Sequence, residues 1–165
     1  MVRQLLASAV MAAGLLAACS PGTSATASAQ TPVPAVAARH PVSGLEVIDL
    51  VVERGTKKLA FKVEVAASPE AQAKGLMFRT SLGDNEGMIF PSAVPEPKSF
   101  WMKNTPLSLD IIFIGPDGRI TNIAANTVPY SLDSVRSSGL ASAVLELRAG
   151  RAKELGIVPG DKVSY

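Results

Sequence analysis

The run Phe100-Trp101-Met102-Lys103-Asn104 places an indole, an ammonium and an amide within a few residues of one another. In an extended strand Trp101, Lys103 and Thr105 share one face, and Phe100, Met102 and Asn104 share the other, because successive side chains alternate. If Phe100 and Met102 point into a core, Trp101 and Lys103 face out together. Such a pair can take a sugar ring or another polar ligand, the indole stacking while the ammonium fixes a hydroxyl or carboxylate. The competing reading is a Trp that caps the core edge while Lys103 pairs with Asp110 or Glu86, and the usual high burial of Trp weighs toward it.

Arg79, Asp84, Glu86, Asp110 and Glu146 are the other charged residues within or beside apolar runs. Two of their carboxylates could serve as acid and base for glycoside cleavage. That chemistry needs environments that push the two pKa values apart, which sequence spacing does not reveal. Ion pairs and turn caps are the expected roles, and Asp117 and Asp161, in turn sequences, are expected to bond backbone. The candidate ligand-binding set is Arg79, Glu86, Trp101, Lys103, Asn104 and Asp110. No catalytic residue, metal ligand or cofactor is assigned.

The chain has one Cys and one His, which excludes an intramolecular disulfide and leaves no ligand set for structural zinc. The single His, His40, falls in a Pro- and Ala-rich stretch ahead of the domain, so a Ser-His-Asp triad within the domain is not expected. Neither phosphate-binding glycine motif occurs, and no Asp/Asn-rich loop resembles a calcium-binding EF-hand. The formal net charge is +2, and from Leu45 onward 14 Lys/Arg face 14 Asp/Glu. Nucleic acid, whose phosphates demand a basic excess, is not an expected partner.

The first 18 residues carry one early cation, Arg3, then an apolar run from Leu5 to Leu16, as a secretory signal does. That run is shorter than the ~20 residues a membrane-spanning helix needs. Leu16-Ala17-Ala18-Cys19 resembles the lipobox of bacterial lipoproteins at all four positions. The resemblance implies acylation of Cys19 and a membrane partner reached through a lipid anchor, each buried methylene contributing about 0.8 kcal/mol. Ser20 stands where inner-membrane retention signals place Asp, so the expected location is the envelope, on the outer membrane if the host is Gram-negative. Residues 19–44, rich in Ala, Ser, Thr and Pro, are expected to form a disordered tether. All acids and all aromatics lie beyond it, which puts a single domain at residues 45–165.

Within that domain Leu45 to Glu53 and Lys58 to Ala66 read as strands, the second with Leu59, Phe61, Val63 and Val65 alternating against Lys58, Lys62 and Glu64. Ser68-Pro69-Glu70 starts a helix expected to run to about Phe78. Gly87 to Phe90 reads as a strand, followed by a Pro-rich connection through Pro91, Pro95 and Pro97. Further strands are expected at Lys98 to Asn104, Leu109 to Ile114, Arg119 to Ala125, Ala143 to Arg148 and Lys162 to Tyr165. A short helix is expected from Gly150 to Leu155. Many short strands between Gly/Pro turns point to a mainly β domain, a β-sandwich or barrel with one or two short helices.

Gly75-Leu76-Met77-Phe78-Arg79, Glu86-Gly87-Met88-Ile89-Phe90, Phe100-Trp101-Met102-Lys103-Asn104-Thr105, Leu109-Asp110-Ile111-Ile112-Phe113-Ile114 and Val144-Leu145-Glu146-Leu147 together resemble the domain-of-unknown-function 192 family. Ser108, ahead of Leu109-Asp110, departs from the tighter Pro-Leu-Asp of that family. The resemblance implies an exported bacterial protein with a mainly β, sandwich-like fold and no established activity. The leading functional expectation is an envelope lipoprotein whose head binds a small polar ligand or a glycan. A protein-docking module of an envelope complex is the alternative, and a carboxylate hydrolase the least favoured class.

Overall fold

The structure, a computed structural model, describes residues 38–165; the signal segment, Cys19 and most of the expected tether lie outside the described residues. β1 (Val47–Arg54) and β2 (Lys57–Val65) form an antiparallel hairpin in unbroken register from Val47 opposite Glu64 to Arg54 opposite Lys57. Gly55, at φ +56°, makes the tight reversal where a side chain would be strained. α1 (Pro69–Lys74) begins as its sequence dictates, with the Ala71 N–H donating to Ser68 Oγ at 3.1 Å. It stops four residues before the expected Phe78. Gly75 takes φ +47° and its N–H donates to the Ala71 carbonyl, which ends the helix there.

β3 (Glu86–Phe100) absorbs both the strand and the expected Pro-rich connection. Its first residues lie between parallel β2 and antiparallel β6 (Val135–Arg148), whereas from Pro91 onward only β6 flanks it. Proline, which donates no ladder hydrogen bond, is tolerated on such a free edge, and the register shifts after Pro91 and Pro97 mark the accommodation. β6 is likewise longer than the expected Ala143 to Arg148. Its first half is pulled into the sheet by the late half of β3, a non-local pairing that local pattern does not encode.

β4 (Leu109–Ile114) is buried on both faces and pairs with β5 (Ile120–Ala124) across the Gly115-Pro116-Asp117-Gly118 turn, closed by Gly118 N–H to Gly115 O at 3.0 Å. α2 (Arg151–Leu155) and β7 (Lys162–Ser164) complete the chain. The strands form one sheet in the order β5-β4-β6-β3-β2-β1-β7. This sheet curls until its edges meet, through a bridge between Arg119 and Lys162 and the Val163 N–H to Gly118 O bond of 2.8 Å. Of the two mainly β architectures expected, the curled, barrel-like one is realised, and closing the edges removes unpaired backbone from solvent.

Two apolar layers follow from the period of two. Leu50, Val52, Phe61, Val63, Ile89, Ile112, Leu145 and Val163 fill the concave side, drawn from strands at both ends of the sheet. Met88, Phe90, Leu109, Ile111, Phe113 and Val144 point the other way and pack with Leu76 and Met102. Phe100 closes this second layer edge-on, 5.0 Å from Phe90 and 6.2 Å from Phe113 between ring centroids.

The boundary of the domain lies ahead of Leu45. Val47 N–H donates to Ala38 O at 2.7 Å and Arg39 bridges Glu46, so the segment from Ala38 packs on the head. His40, assigned by sequence to the tether, is part of the domain. Composition misses this because the segment is held by its backbone and by one buried carboxylate, not by apolar side chains.

Candidate functional site

Glu64, Met88, Glu146 and Ile111 lie in register across four adjacent strands on the second-layer side of the sheet. Both glutamates are buried, at 3% and 4% exposure. The alternation that placed Glu64 on a solvent face holds for the strand, but the N-terminal segment and the turn after α1 cover that face.

Glu64 is fully partnered. Its carboxylate accepts Arg79 Nη1 at 2.7 Å and the Ser43 hydroxyl, with His40 Nε2 3.6 Å away. Arg79 Nη2 lies 3.3 Å from His40 Nε2, and His40 Nδ1 accepts the Val42 N–H at 3.2 Å. Arg79, expected at a ligand site, is instead spent on this clamp, which ties the N-terminal segment and the post-helix turn to the sheet.

Glu146 makes no hydrogen bond or ion pair among the described residues, and burial pushes its carboxyl up from 4.5 to about 8. Its strand is brought close by a glycine: a Cβ at Gly87 would lie 2.6 Å from the Glu146 carbonyl oxygen. The side chain borders a cavity of about 320 Å³, walled by Leu76, Phe90 and Phe100 and rimmed by Trp101, Lys98 and Lys103. Among the described residues Glu146 therefore has neither the expected ion pair nor the expected turn cap. A lone acid inside the apolar run Val144-Leu145-Glu146-Leu147 was the sequence signal for it.

The strand ends at Phe100, so face alternation does not govern the next residues. Trp101 to Asn104 form a turn, with Thr105 N–H donating to Met102 O at 3.0 Å and Asn104 at φ +55°. Met102 is buried and held by Ser131 O at 2.9 Å, which leaves its neighbours outside. Trp101 is 49% exposed, and Lys103 Nζ sits 5.1 Å from the indole centroid, a cation–π contact. Thr105, expected beside them, is buried. Asn104 turns its amide to Met77 Sδ at 3.8 Å and joins this turn to the exit of α1.

Lys103 pairs with neither Asp110 nor Glu86. Asp110 is wholly buried, its Oδ1 accepting the N–H groups of Asn126 and Gly150 at 3.0 and 3.1 Å and its Oδ2 that of Ala152 at 2.9 Å. It anchors the entrance to α2. Glu86 accepts the Gly83 N–H at 2.8 Å and closes a loop. Of the six expected residues, Trp101 and Lys103 line the cavity, Asn104 shapes its turn, and Arg79, Glu86 and Asp110 serve the fold elsewhere. What remains together is an acid on the floor, aromatic walls and cations at the mouth.

No curated protein matches the chain closely. It is similar to the crystal structure of a protein of unknown function from Novosphingobium aromaticivorans, with 50% identity and a TM-score of 0.77, over 80% of this chain and 94% of that one. It is also similar to the structure of a protein described as a candidate transcription regulator from Sinorhizobium meliloti, with 36% identity and a TM-score of 0.71, over 73% of this chain and 94% of that one. The DUF192 family model, described as an uncharacterised ACR, matches residues 50–165, the whole sheet apart from the start of β1, and the chain belongs to that family.

Proposed function

We propose that the domain is a ligand-binding head, carried on the cell envelope by a lipid at Cys19, and that it takes a small polar molecule in the cavity between Glu146 and Trp101. The observation that carries this reading is the juxtaposition of an unpartnered buried acid with an exposed indole and ammonium at one opening. Binding sites are apolar hollows with a few placed polar groups, and about 320 Å³ is at the small end of their range. That size favours a single small molecule over a glycan chain. The description of the Sinorhizobium meliloti relative is not carried over, since the 14 cations and 14 acids from Leu45 onward leave no basic excess.

Trp101 is the chain's only Trp and reports alone on its surroundings. A panel of small polar metabolites and simple sugars, screened by Trp101 emission, contains a compound that blue-shifts and protects it. Lys103→Ala weakens the response. A panel that leaves the emission unmoved refutes the reading. For the anchor, Cys19→Ala releases the protein from the membrane fraction, and retention after a salt wash refutes it.

One observation favours a docking module instead. Val128, Tyr130 and Leu132 are exposed beside Trp101, their loop tied to its turn through Met102 N–H to Ser131 O and Tyr130 N–H to Thr105 O. A Tyr130→Ser, Leu132→Ser variant retains the small-molecule response on the ligand reading.

A further inference from the structure

Resting on that ligand reading, we propose that Glu146 seats the protonated amine of a small amino-carboxylate, whose carboxylate lies at the rim with Lys103. Left alone in this wall Glu146 keeps its proton, and a hydroxyl ligand leaves it so, whereas its carboxylate form needs a counter-charge beside it. A ligand ammonium supplies a hydrogen bond and that counter-charge together, in a cavity whose walls include Phe90 and Phe100.

The same lining also carries the opposite sign. The charged groups that share it with Glu146 are Lys74 from the end of α1, Lys98 from β3 and Lys103 from the following turn. Lys98 is already held by Glu96 at 2.7 Å, whereas Lys103 is in no ion pair among the described residues and rests only on the indole. A plain amine would meet these lysines with like charge, and a plain carboxylate would supply no counter-charge for Glu146. A zwitterion of amino-acid size offers a partner to each sign and fits the volume.

Binding has a proton balance. Burial leaves Glu146 largely protonated at neutral pH, so seating an ammonium on its carboxylate expels that proton to solvent. Nothing bonds covalently, and the ligand keeps its own protons.

The test uses the full chain and four probes of similar size: L-leucine, isoamylamine, isocaproate and glucose. L-leucine is expected to shift Trp101 emission most, isoamylamine more weakly, and the other two not at all at equal concentration. Calorimetry of L-leucine at neutral pH in buffers of different ionisation enthalpy shows proton release. Glu146→Gln, which keeps the shape and removes the charge, loses about tenfold or more in affinity, the loss expected for one charged hydrogen bond, and abolishes the release. Glu146→Asp binds more weakly yet still releases a proton, which separates a charge requirement from mere packing. Melting curves of both variants check that they fold.

Isocaproate or glucose matching L-leucine, or Glu146→Gln binding it undiminished, overturns the amine assignment and leaves the cavity reading standing. So does silence to all four probes while another member of the polar panel moves Trp101. Silence to the probes and to the whole panel overturns both.

Discussion

Glu64 and Glu146 occupy one row of the same sheet face on either side of Met88, equally buried, and their surroundings could hardly differ more. Around Glu64 the chain has assembled a guanidinium, a hydroxyl and an imidazole, drawn from the N-terminal segment and the turn after α1. Around Glu146 it has assembled phenylalanines, leucine and a void. The difference separates two uses of a buried charge. A partnered acid tethers elements, and its cost is met inside the fold. An unpartnered acid beside a cavity raises the energy of the empty protein and is relieved by something from outside, which is why it marks a site.

The largest test of this contrast is removal of one member of the partnered set. Glu64→Ala leaves Arg79 buried without its counter-charge and is expected to cost about 3–5 kcal/mol in urea denaturation, the range for breaking a buried pair. A loss below about 1 kcal/mol would place Glu64 among solvated surface acids.

A second effect belongs to Glu146 and depends on pH. Its carboxyl is raised from 4.5 to about 8 by burial, so between those values the folded protein holds a proton that the unfolded chain has lost. Stability therefore falls as pH rises through this window, by up to about 1.4 kcal/mol per unit, and levels off above it. Glu146→Gln cannot ionise. Its stability curve lacks that decline, and it is expected to match the parent near the acid end and exceed it near pH 8. Parallel curves for the two proteins would show that Glu146 has a partner after all.

The smallest effect is expected at the rim. Lys103→Ala removes an exposed ammonium and should change stability within about ±0.5 kcal/mol, while Trp101 emission stays red-shifted and open to acrylamide. A blue, shielded indole, or a loss of several kcal/mol, would move Trp101 and Lys103 from the mouth of the cavity into the core.

These contrasts were unevenly legible. The alternating run that became β2 was readable because its two faces meet different surroundings, and the apolar runs that became β1 and β4 because strand-forming residues fill them. The turns at Gly55 and at Gly115 to Gly118 were readable because their chemistry is local. Strand alternation would put Trp101 and Lys103 outward, but the strand has ended at Phe100 and a turn around buried Met102 exposes them instead.

Local chemistry, acting over a few residues, determined the β character, the start of α1, the hairpin turns and the family to which the chain belongs. Only the tertiary structure decided which charges are partnered. Arg79 and Glu64 are 15 positions apart in the chain, His40 comes from a segment whose composition gives no hint of packing, and Asp110 reaches forward to the entrance of α2. Whether a buried carboxylate is satisfied depends on which donors lie within about 3 Å of it, and folding sets that distance by joining residues that sequence spacing keeps apart. For Glu146 the fold brought no donor among the described residues, and left the cavity beside it.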